Sequence, residues 1–540
     1  MAAVVMRGCV RSSDTELTKT QECNGNEEKT VNGKINSRKN GYVKATNLNN
    51  GAVKMGGNYA GLQPMDWSQY DTFPGDFEKC SLVTAVLAHL GLYLLMFLGF
   101  INKLLFTPKV ATERNREGYA PLYNSFDQFF SRYLYRRVRH CFNRPICSTP
   151  AAEVTIKERY TDDYNWTFKF TGTERRCINL GSYNYLGFAE PTGPCADAAA
   201  EAARRYGLAL ASPRAELGSC ALHKELEETT ARFLGVEAAI VFGMGFATNA
   251  LGLPGLLGPG TLALSDENNH ASLILGLRLA RAAVRVFRHN DLPHLERLAR
   301  AAIAERRWTK IVIVVEGVYS MEGSIVPLAG VVELKRRLGL QLYLDEAHSV
   351  GALGARARGA ADHCGVAPGD VDVLMGTFTK SFGAAGGYIA GSAKLIRWIR
   401  AYGHAHTYAH AMSPPVAAQV LAAMRALRTP AGLRRVRTLR DNTHYFRRRL
   451  REMGVVTYGH NDSPVVPMLV YTFSSMAAVV ERLTQQGIAT VGVGFPATPL
   501  YKARIRFCLS AAHSREQLDA CLAAIQEVVE ELGLQYSRRR

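Results

Sequence analysis

Residues 341–387 read QLYLDEAHSVGALGARARGAADHCGVAPGDVDVLMGTFTKSFGAAGG. Two short apolar runs, Gln341–Leu344 and Val371–Met375, punctuate this stretch. Each gives way abruptly to polar residues: Asp345, Glu346, Ala347 and His348 after the first; Thr377, Phe378, Thr379, Lys380 and Ser381, then Gly383, Gly386 and Gly387, after the second. Continuous apolar runs of this length, bounded by turn-forming residues, read as strands buried on both faces.

Outward from there the same pattern repeats. Ala238–Phe242, Thr261–Leu264, Val284–Phe287 and Ile311–Val315 read as further buried strands, and Leu292–Arg306 and Leu328–Leu338 as amphipathic helices between them. Alternating β and α over this span predicts an α/β fold with a mostly parallel central sheet covered on both faces. We place a large domain at 156–402. A smaller C-terminal α+β lobe at 403–540 should close over a cleft, starting with one Arg-rich helix over Val416–Met453.

The N-terminal part has a different character. Residues 1–65 are rich in Asn, Gly, Lys, Glu and Thr and are expected to be disordered. Met1 to Lys34 lacks the apolar core of a secretory signal. Cys80–Ile101, CSLVTAVLAHLGLYLLMFLGFI, carries no charge and reaches the roughly 30 Å of a bilayer core, so 66–118 is read as membrane-associated, with a helix at about 80–101. His89 and Tyr93 leave a re-entrant or shallow helix open. Within 119–155, the segment Pro121–Ile146 sets Phe126, Phe129, Phe130, Tyr133 and Leu134 at helical spacing against Arg132, Arg136, Arg137 and Arg139. Such a basic amphipathic helix suits a headgroup layer, or equally a surface helix packed on the body.

With 65 basic and 47 acidic residues, the chain carries a net charge of +18, which points to an anionic partner. No nucleic-acid module accompanies the charge, so membrane lipid or a phosphorylated substrate is expected rather than nucleic acid. Eleven cysteines without a CxxC pair favour a reducing, cytosol-facing compartment over a zinc or disulfide framework.

Ligands of open parallel sheets bind beyond the carboxyl ends of the strands. Asp345, Lys380 and the turn Gly243-Met244-Gly245-Phe246, which opens a helix, all sit there. A helix N-terminus can hold a phosphate, a lysine can form a Schiff base, and a carboxylate can keep a pyridine nitrogen protonated. The three together suit an anionic aldehyde cofactor. Rival motifs fail: GMGFAT lacks the third glycine of a dinucleotide fingerprint, and GTFTKS has Leu374 and Thr379 where a P-loop needs glycines. Asp345, His348, His363 and Cys364 match no standard metal spacing, so no metal is expected.

GTFTKSFG, YLDEAHSVGALG, SDENNHASLI, VEGVYSMEGSI, SYNYLGF and RIRFCLSAAH together resemble the α-oxoamine synthase family of fold-type I pyridoxal-phosphate enzymes, over roughly residues 60–540. GFPATPL and the hydrophobic N-terminal segment indicate the branch of long-chain-base catalytic subunits. The resemblance implies pyridoxal 5'-phosphate as cofactor, with Lys380 as the Schiff-base lysine and Asp345 as the pyridinium partner. It further implies His348 at the phenolic oxygen, His270 stacked over the ring, Gly245, Phe246, Thr377 and Thr379 on the phosphate side, and Arg506 on the amino-acid carboxylate. The implied reaction joins L-serine to palmitoyl-CoA or a related long-chain acyl-CoA. Lys380 removes the substrate proton, the carbanion expels CoA from the thioester, and loss of carbon dioxide gives 3-oxosphinganine. A relative condensing glycine with an acyl-CoA, or a non-catalytic subunit, is the alternative; Lys380 argues against the latter. Implied partners are a subunit lacking the lysine, small activating and regulatory membrane subunits, and the endoplasmic-reticulum membrane, with the catalytic domain facing the cytosol. The chain departs from the family at Tyr408-Ala409-His410-Ala411, where relatives read YATS or YASS, and at Pro213 after Ser212 and Leu208, nearer the substrate side.

Overall fold

Along Lys310–Glu316 successive side chains enter two different cores: Ile311, Ile313 and Val315 one, Val312 and Val314 the other. That is the period-two geometry of a strand with no solvent face. The computed structural model describes residues 63–70, 78, 81–105, 118 and 125–538. The expected disorder of 1–65 falls outside these except at 63–65, as does the start of the Pro121–Ile146 segment.

Thirteen strands form three sheets among the described residues. In chain order they are β1 (Glu153–Tyr160), β2 (Lys169–Asn179), β3 (Ala238–Phe242), β4 (Thr261–Asp266), β5 (Ala283–Phe287), β6 (Lys310–Glu316) and β7 (Gln341–Asp345). There follow β8 (Val373–Thr377), β9 (Gly387–Gly391), β10 (Val465–Tyr471), β11 (Ile488–Ala489), β12 (Val491–Val493) and β13 (Ala503–Cys508). The central sheet has the order β3-β9-β8-β7-β6-β4-β5. All its pairings are parallel except those of β9, which runs antiparallel to both neighbours. Phe242, Asp266, Glu316, Asp345 and Thr377 thus end their strands along one edge of the sheet.

Helices Leu292–Ala304, Leu328–Leu338 and Ala221–Leu234 bury Leu295, Val331 and Leu226 on one face. Gly245–Leu256, Ala271–Leu279 and Ala393–Tyr402 bury Leu253, Leu273 and Ile399 on the other. Each such aliphatic side chain contributes about 1.5–3 kcal/mol on burial. In the C-terminal part, β10, β13 and β12 form an antiparallel sheet covered by Phe473–Gln485 and Arg515–Leu532. The hairpin β1–β2 gains β11 as a parallel third strand.

Two expectations need correction. The Arg-rich helix over Val416–Met453 is two helices, Pro414–Leu427 and Pro430–Glu452. Pro430 has no N–H to continue the first, and the Thr429 hydroxyl caps the second by accepting from Gly432 N (3.2 Å). Strand β9 was not expected, because its Gly387 opening reads as loop.

The apolar segment forms a helix at Leu82–Leu105, extending past Lys103. Most of its side chains are exposed, yet it touches the body along one stripe. Ala88 packs with Val456, Tyr458, Leu469 and Tyr471, and Phe100 stacks on Phe129 at 4.6 Å. Gly99 permits this approach, since a Cβ there would lie 2.9 Å from the Phe129 ring. Phe129, Phe130 and Leu134 of the following helical run are buried, with Phe130 edge-on to Phe495 at 4.8 Å. Its cationic face is also engaged: Arg136 lies over Trp166 (4.6 Å), and Arg139 donates to the Trp166 carbonyl (2.6 Å).

Candidate active site

The strand ends gather their polar groups around one aromatic ring. Tyr183, in the loop after β2, has the Lys380 Nζ 5.7 Å and the Arg506 guanidinium 4.6 Å from its ring centre. His348 meets the same ring edge-on at 4.8 Å. Lys380 follows β8, His348 follows β7 and Arg506 lies on β13, so the C-terminal sheet supplies one wall of the site.

Lys380 is enclosed, and burial pulls its ammonium down to about 8, against the opposing pull of Asp345 and Glu316. Asp345 is buried with both oxygens bound: one accepts from Asn249 Nδ2 (2.7 Å), the other from Ala347 N (2.8 Å). Asn249 is itself fixed, accepting from the Tyr343 hydroxyl (2.7 Å) and donating to Ser272 Oγ (3.0 Å). His348 is held far below its ordinary range, first by burial and then by Lys380, Arg506 and His270, so it is neutral. Its Nδ1 lies 2.8 Å from the Tyr185 hydroxyl.

His270 caps the helix Ala271–Leu279, its Nδ1 2.7 Å from Ser272 Oγ and its ring edge-on to Phe246 at 6.0 Å. Burial lowers its pKa, with Asp345 opposing and Lys380 adding to the shift. Its backbone N–H donates to the Glu316 carboxylate, which burial raises well above its usual range.

On the opposite side, the helix Gly245–Leu256 begins at the end of β3 with no side chain capping it. A Cβ at Gly245 would stand 2.6 Å from Thr377 Oγ1, so only glycine lets the two segments meet. Thr377 Oγ1 donates to Gly386 O (2.8 Å) and pairs with Thr379 Oγ1 (2.8 Å). Uncapped N–H groups beside two hydroxyls make an anion cradle.

Arg506 is buried with its Nε unpartnered. Among the described residues its side-chain contacts as a donor are to sulfur, Met321 Sδ (3.7 Å) and the Cys508 thiol. A buried cation with donors to spare is suited to a carboxylate from outside the chain. Desolvated lysine, fixed carboxylate, neutral imidazoles and anion cradle together fit a phosphorylated pyridine aldehyde.

The structure brings together Lys380, Asp345, His348, His270, Arg506, Gly245, Phe246, Thr377 and Thr379. Sequence reasoning missed Tyr183, Tyr185, Asn249 and Glu316. Tyr183 and Tyr185 stood inside SYNYLGF, and Asn249 one helical turn past Gly245, but only the tertiary fold aims them here.

The aminotransferase class I and II family model matches residues 175–525. The chain is 47% identical over 481 residues to human serine palmitoyltransferase 3, covering 86% of this chain and 87% of that protein. It is 45% identical over 469 residues to serine palmitoyltransferase 2 of Caenorhabditis elegans, with 84% of each covered. Among solved structures it resembles SPT with its PLP internal aldimine at 26% identity and a TM-score of 0.67, covering 76% of this chain and all of that one.

Proposed function

Because the chain belongs to the class I and II aminotransferases, and to the serine palmitoyltransferases among them, we infer that it catalyses the pyridoxal-phosphate-dependent, decarboxylating condensation of L-serine with a long-chain acyl-CoA such as palmitoyl-CoA. The products are 3-oxosphinganine, CoA and carbon dioxide, and the reaction opens sphingolipid synthesis. The observation that carries the assignment of roles is the meeting of Lys380, His348 and Arg506 around Tyr183.

Pyridoxal phosphate supplies an aldehyde that captures amines and a ring that takes up the charge developing at the amino acid's α-carbon. Lys380 would hold the aldehyde carbon at rest and take the α-proton at Nζ during turnover. An amine brought down to about 8 has a sizeable neutral fraction near neutral pH, as both tasks require. Asp345, its two oxygens fixed, would keep a proton on the ring nitrogen. Neutral His348, its Nδ1 held against the Tyr185 hydroxyl (2.8 Å), would offer Nε2–H to the ring's phenolic oxygen. His270 would cover the ring face. Gly245, Phe246, Thr377 and Thr379 would hold the phosphate, and Arg506 the serine carboxylate until it leaves as carbon dioxide.

In this reading the helix Leu82–Leu105 tethers the chain to the endoplasmic-reticulum membrane with the catalytic part facing the cytosol. Its length, apolar composition and exposed side chains support that tether. The working enzyme is a heterodimer with a subunit lacking the lysine, joined by small membrane subunits. Leu208, Leu217, Met244 and Tyr408 support an adjoining partner by leaving apolar surface exposed on segments beside the site.

Replacing Lys380 with Ala tests the core of the proposal. Borohydride reduction of the wild-type complex should fix the cofactor's mass on the peptide bearing Lys380, and Lys380→Ala should lose both that adduct and product formation while remaining folded. Trapping of the cofactor on another lysine would overturn the assignment.

A further inference from the structure

Away from the active site, three imidazoles surround a single carboxylate. Asp462, in the loop before β10, has His444 Nε2 2.7 Å from Oδ1. On its other oxygen lie His363 Nε2 at 3.8 Å and His460 Nδ1 at 3.7 Å. One donor atom each from His363, His460 and Asp462 falls within 4.8 Å of the others. The His363 and His460 rings stand at 86° to each other, 5.4 Å between centres, so they converge without stacking.

The four residues come from three separate places in the fold. His363 ends the short helix Ala360–His363, whose N-terminal N–H groups bind Glu346, the neighbour of Asp345. His444 lies on Pro430–Glu452. The loop with His460 and Asp462 is anchored by His460 N donating to Gly323 O (2.9 Å). Gly323 lies in the segment whose Met321 touches both Arg504 and Arg506.

We propose that His363, His460 and Asp462 form a divalent transition-metal site, of the zinc and cobalt class, that ties the loop after β7 to the C-terminal sheet, with His444 holding the other oxygen of Asp462 in place. Imidazole with one carboxylate is a donor set these ions accept. Bonds of about 2.0–2.1 Å place tetrahedral donors about 3.3 Å apart, so the 3.7 and 3.8 Å separations need to contract by only about 0.5 Å, and His460 Nδ1 would exchange the bond it accepts from Asp462 N (3.1 Å) for the ion. All four side chains are partly exposed, which gives an ion a path in.

The neighbouring arginines do not compete for Asp462: among the described residues its ion-pair contacts are all with imidazoles. Arg451 donates to Asn461 Oδ1 (2.7 Å), Arg448 pairs with Glu452 (3.7 Å), and Arg515 lies over Tyr445 (3.7 Å). The spacing of these ligands along the chain matches no metal motif, and the sequence brought up His363 only in a different grouping, with Asp345, His348 and Cys364.

The test uses the untagged full chain in its assembled complex, stripped with a chelator and titrated with Co2+. One equivalent per chain should produce the visible bands of low-coordinate cobalt, and Zn2+ should displace them. Asp462→Asn and His363→Ala should each weaken binding at least about 10-fold. His444→Gln, at a half-exposed position that tolerates exchange, provides the same readout should either of those variants fail to fold. Absence of saturable binding by the wild type, or saturable binding unchanged in the variants, would overturn the proposal.

Discussion

Arg506→Met should make the resting enzyme more stable and nearly useless for serine. The guanidinium is buried, its Nε has no partner, and among the described residues no carboxylate pairs with it. Burial alone would lower its pKa; Tyr183, Cys508 and Tyr185 more than offset that, so it stays charged. At neutral pH those three give no countercharge, because Tyr183 is pushed up to about 12 and the other two are also raised by burial. What remains is the stacking on Tyr183, about 2 kcal/mol for a desolvated cation, with weak contacts to the Met321 and Cys508 sulfurs, against a desolvation penalty of several kcal/mol. Methionine fills similar space without the charge, so a net gain of about 1–3 kcal/mol is expected. Unfolding entropy of roughly 2.1 cal/mol/K per residue converts this to a rise of about 1–3 °C in the melting temperature. Serine then loses a charge-assisted contact of about 3 kcal/mol, which should raise its KM by about 150-fold. Thermal melting without serine and steady-state kinetics at varied serine measure the two effects. A lower melting temperature combined with an unchanged KM would refute the reasoning.

Three further outcomes are expected. Tyr185→Phe deletes the 2.8 Å contact to His348 Nδ1 and should lower kcat about 5–10-fold with the fold intact, the effect of one net hydrogen bond of about 1 kcal/mol; unchanged kcat would remove Tyr185 from the site. Burial opposes protonation of His289, but Asp266, 2.9 Å away, overrides it and raises the folded pKa above 6.5. That stabilisation is fully present below pH 6.5 and is lost as pH rises through the folded value, so chemical denaturation should show a decline over that window which His289→Gln flattens. His410→Thr should leave turnover and cofactor affinity of the assembled complex unchanged, since in the proposed heterodimer this loop would face the partner's site; a several-fold gain in cofactor affinity would contradict that arrangement.

The strand-end chemistry was legible because it depends on local signals. An apolar run that stops at Asp345, and another that stops before Lys380, announce both the strand and the edge where it ends. The break at Pro430 was missed although its signal is local: Thr429 and Pro430 are the cap and first position of a new helix, but helical apolar spacing continues on both sides of them. Tyr183 and Asn249 are a different matter. Tyr183 becomes the ring between Lys380 and Arg506 only because Cys508 N, at the end of β13, donates to the Leu180 carbonyl just after β2 (2.8 Å), a contact between residues more than three hundred positions apart. Asn249 reaches Asp345, and the Tyr343 hydroxyl beside it, only because the helix after β3 packs on the central sheet. Contacts fixed by packing at long range leave no periodicity in the sequence.

The departures at Pro213 and His410, read separately along the chain, are one structural unit. The two residues form an antiparallel bridge, and the Ala411 N–H donates to the Ser212 carbonyl (3.2 Å) beside it. A flanking bond of this kind marks Pro213 and His410 as a non-hydrogen-bonded pair, where the ladder makes no demand on proline's missing N–H and the facing side chains come closest. Ala215 N donating to His406 O (3.3 Å), outside that register, fastens the two segments together again. Proline on one strand and imidazole on the other therefore shape a common surface, beside the turn at Gly243 that leads into the anion cradle. Restoring a hydroxyl at His410 alone alters half of a matched pair. A substrate-side role for Pro213 and a partner-side role for His410 would thus be two faces of a single contact, so any effect on acyl-chain or amino-acid preference should appear as coupling between the two positions rather than at either one alone.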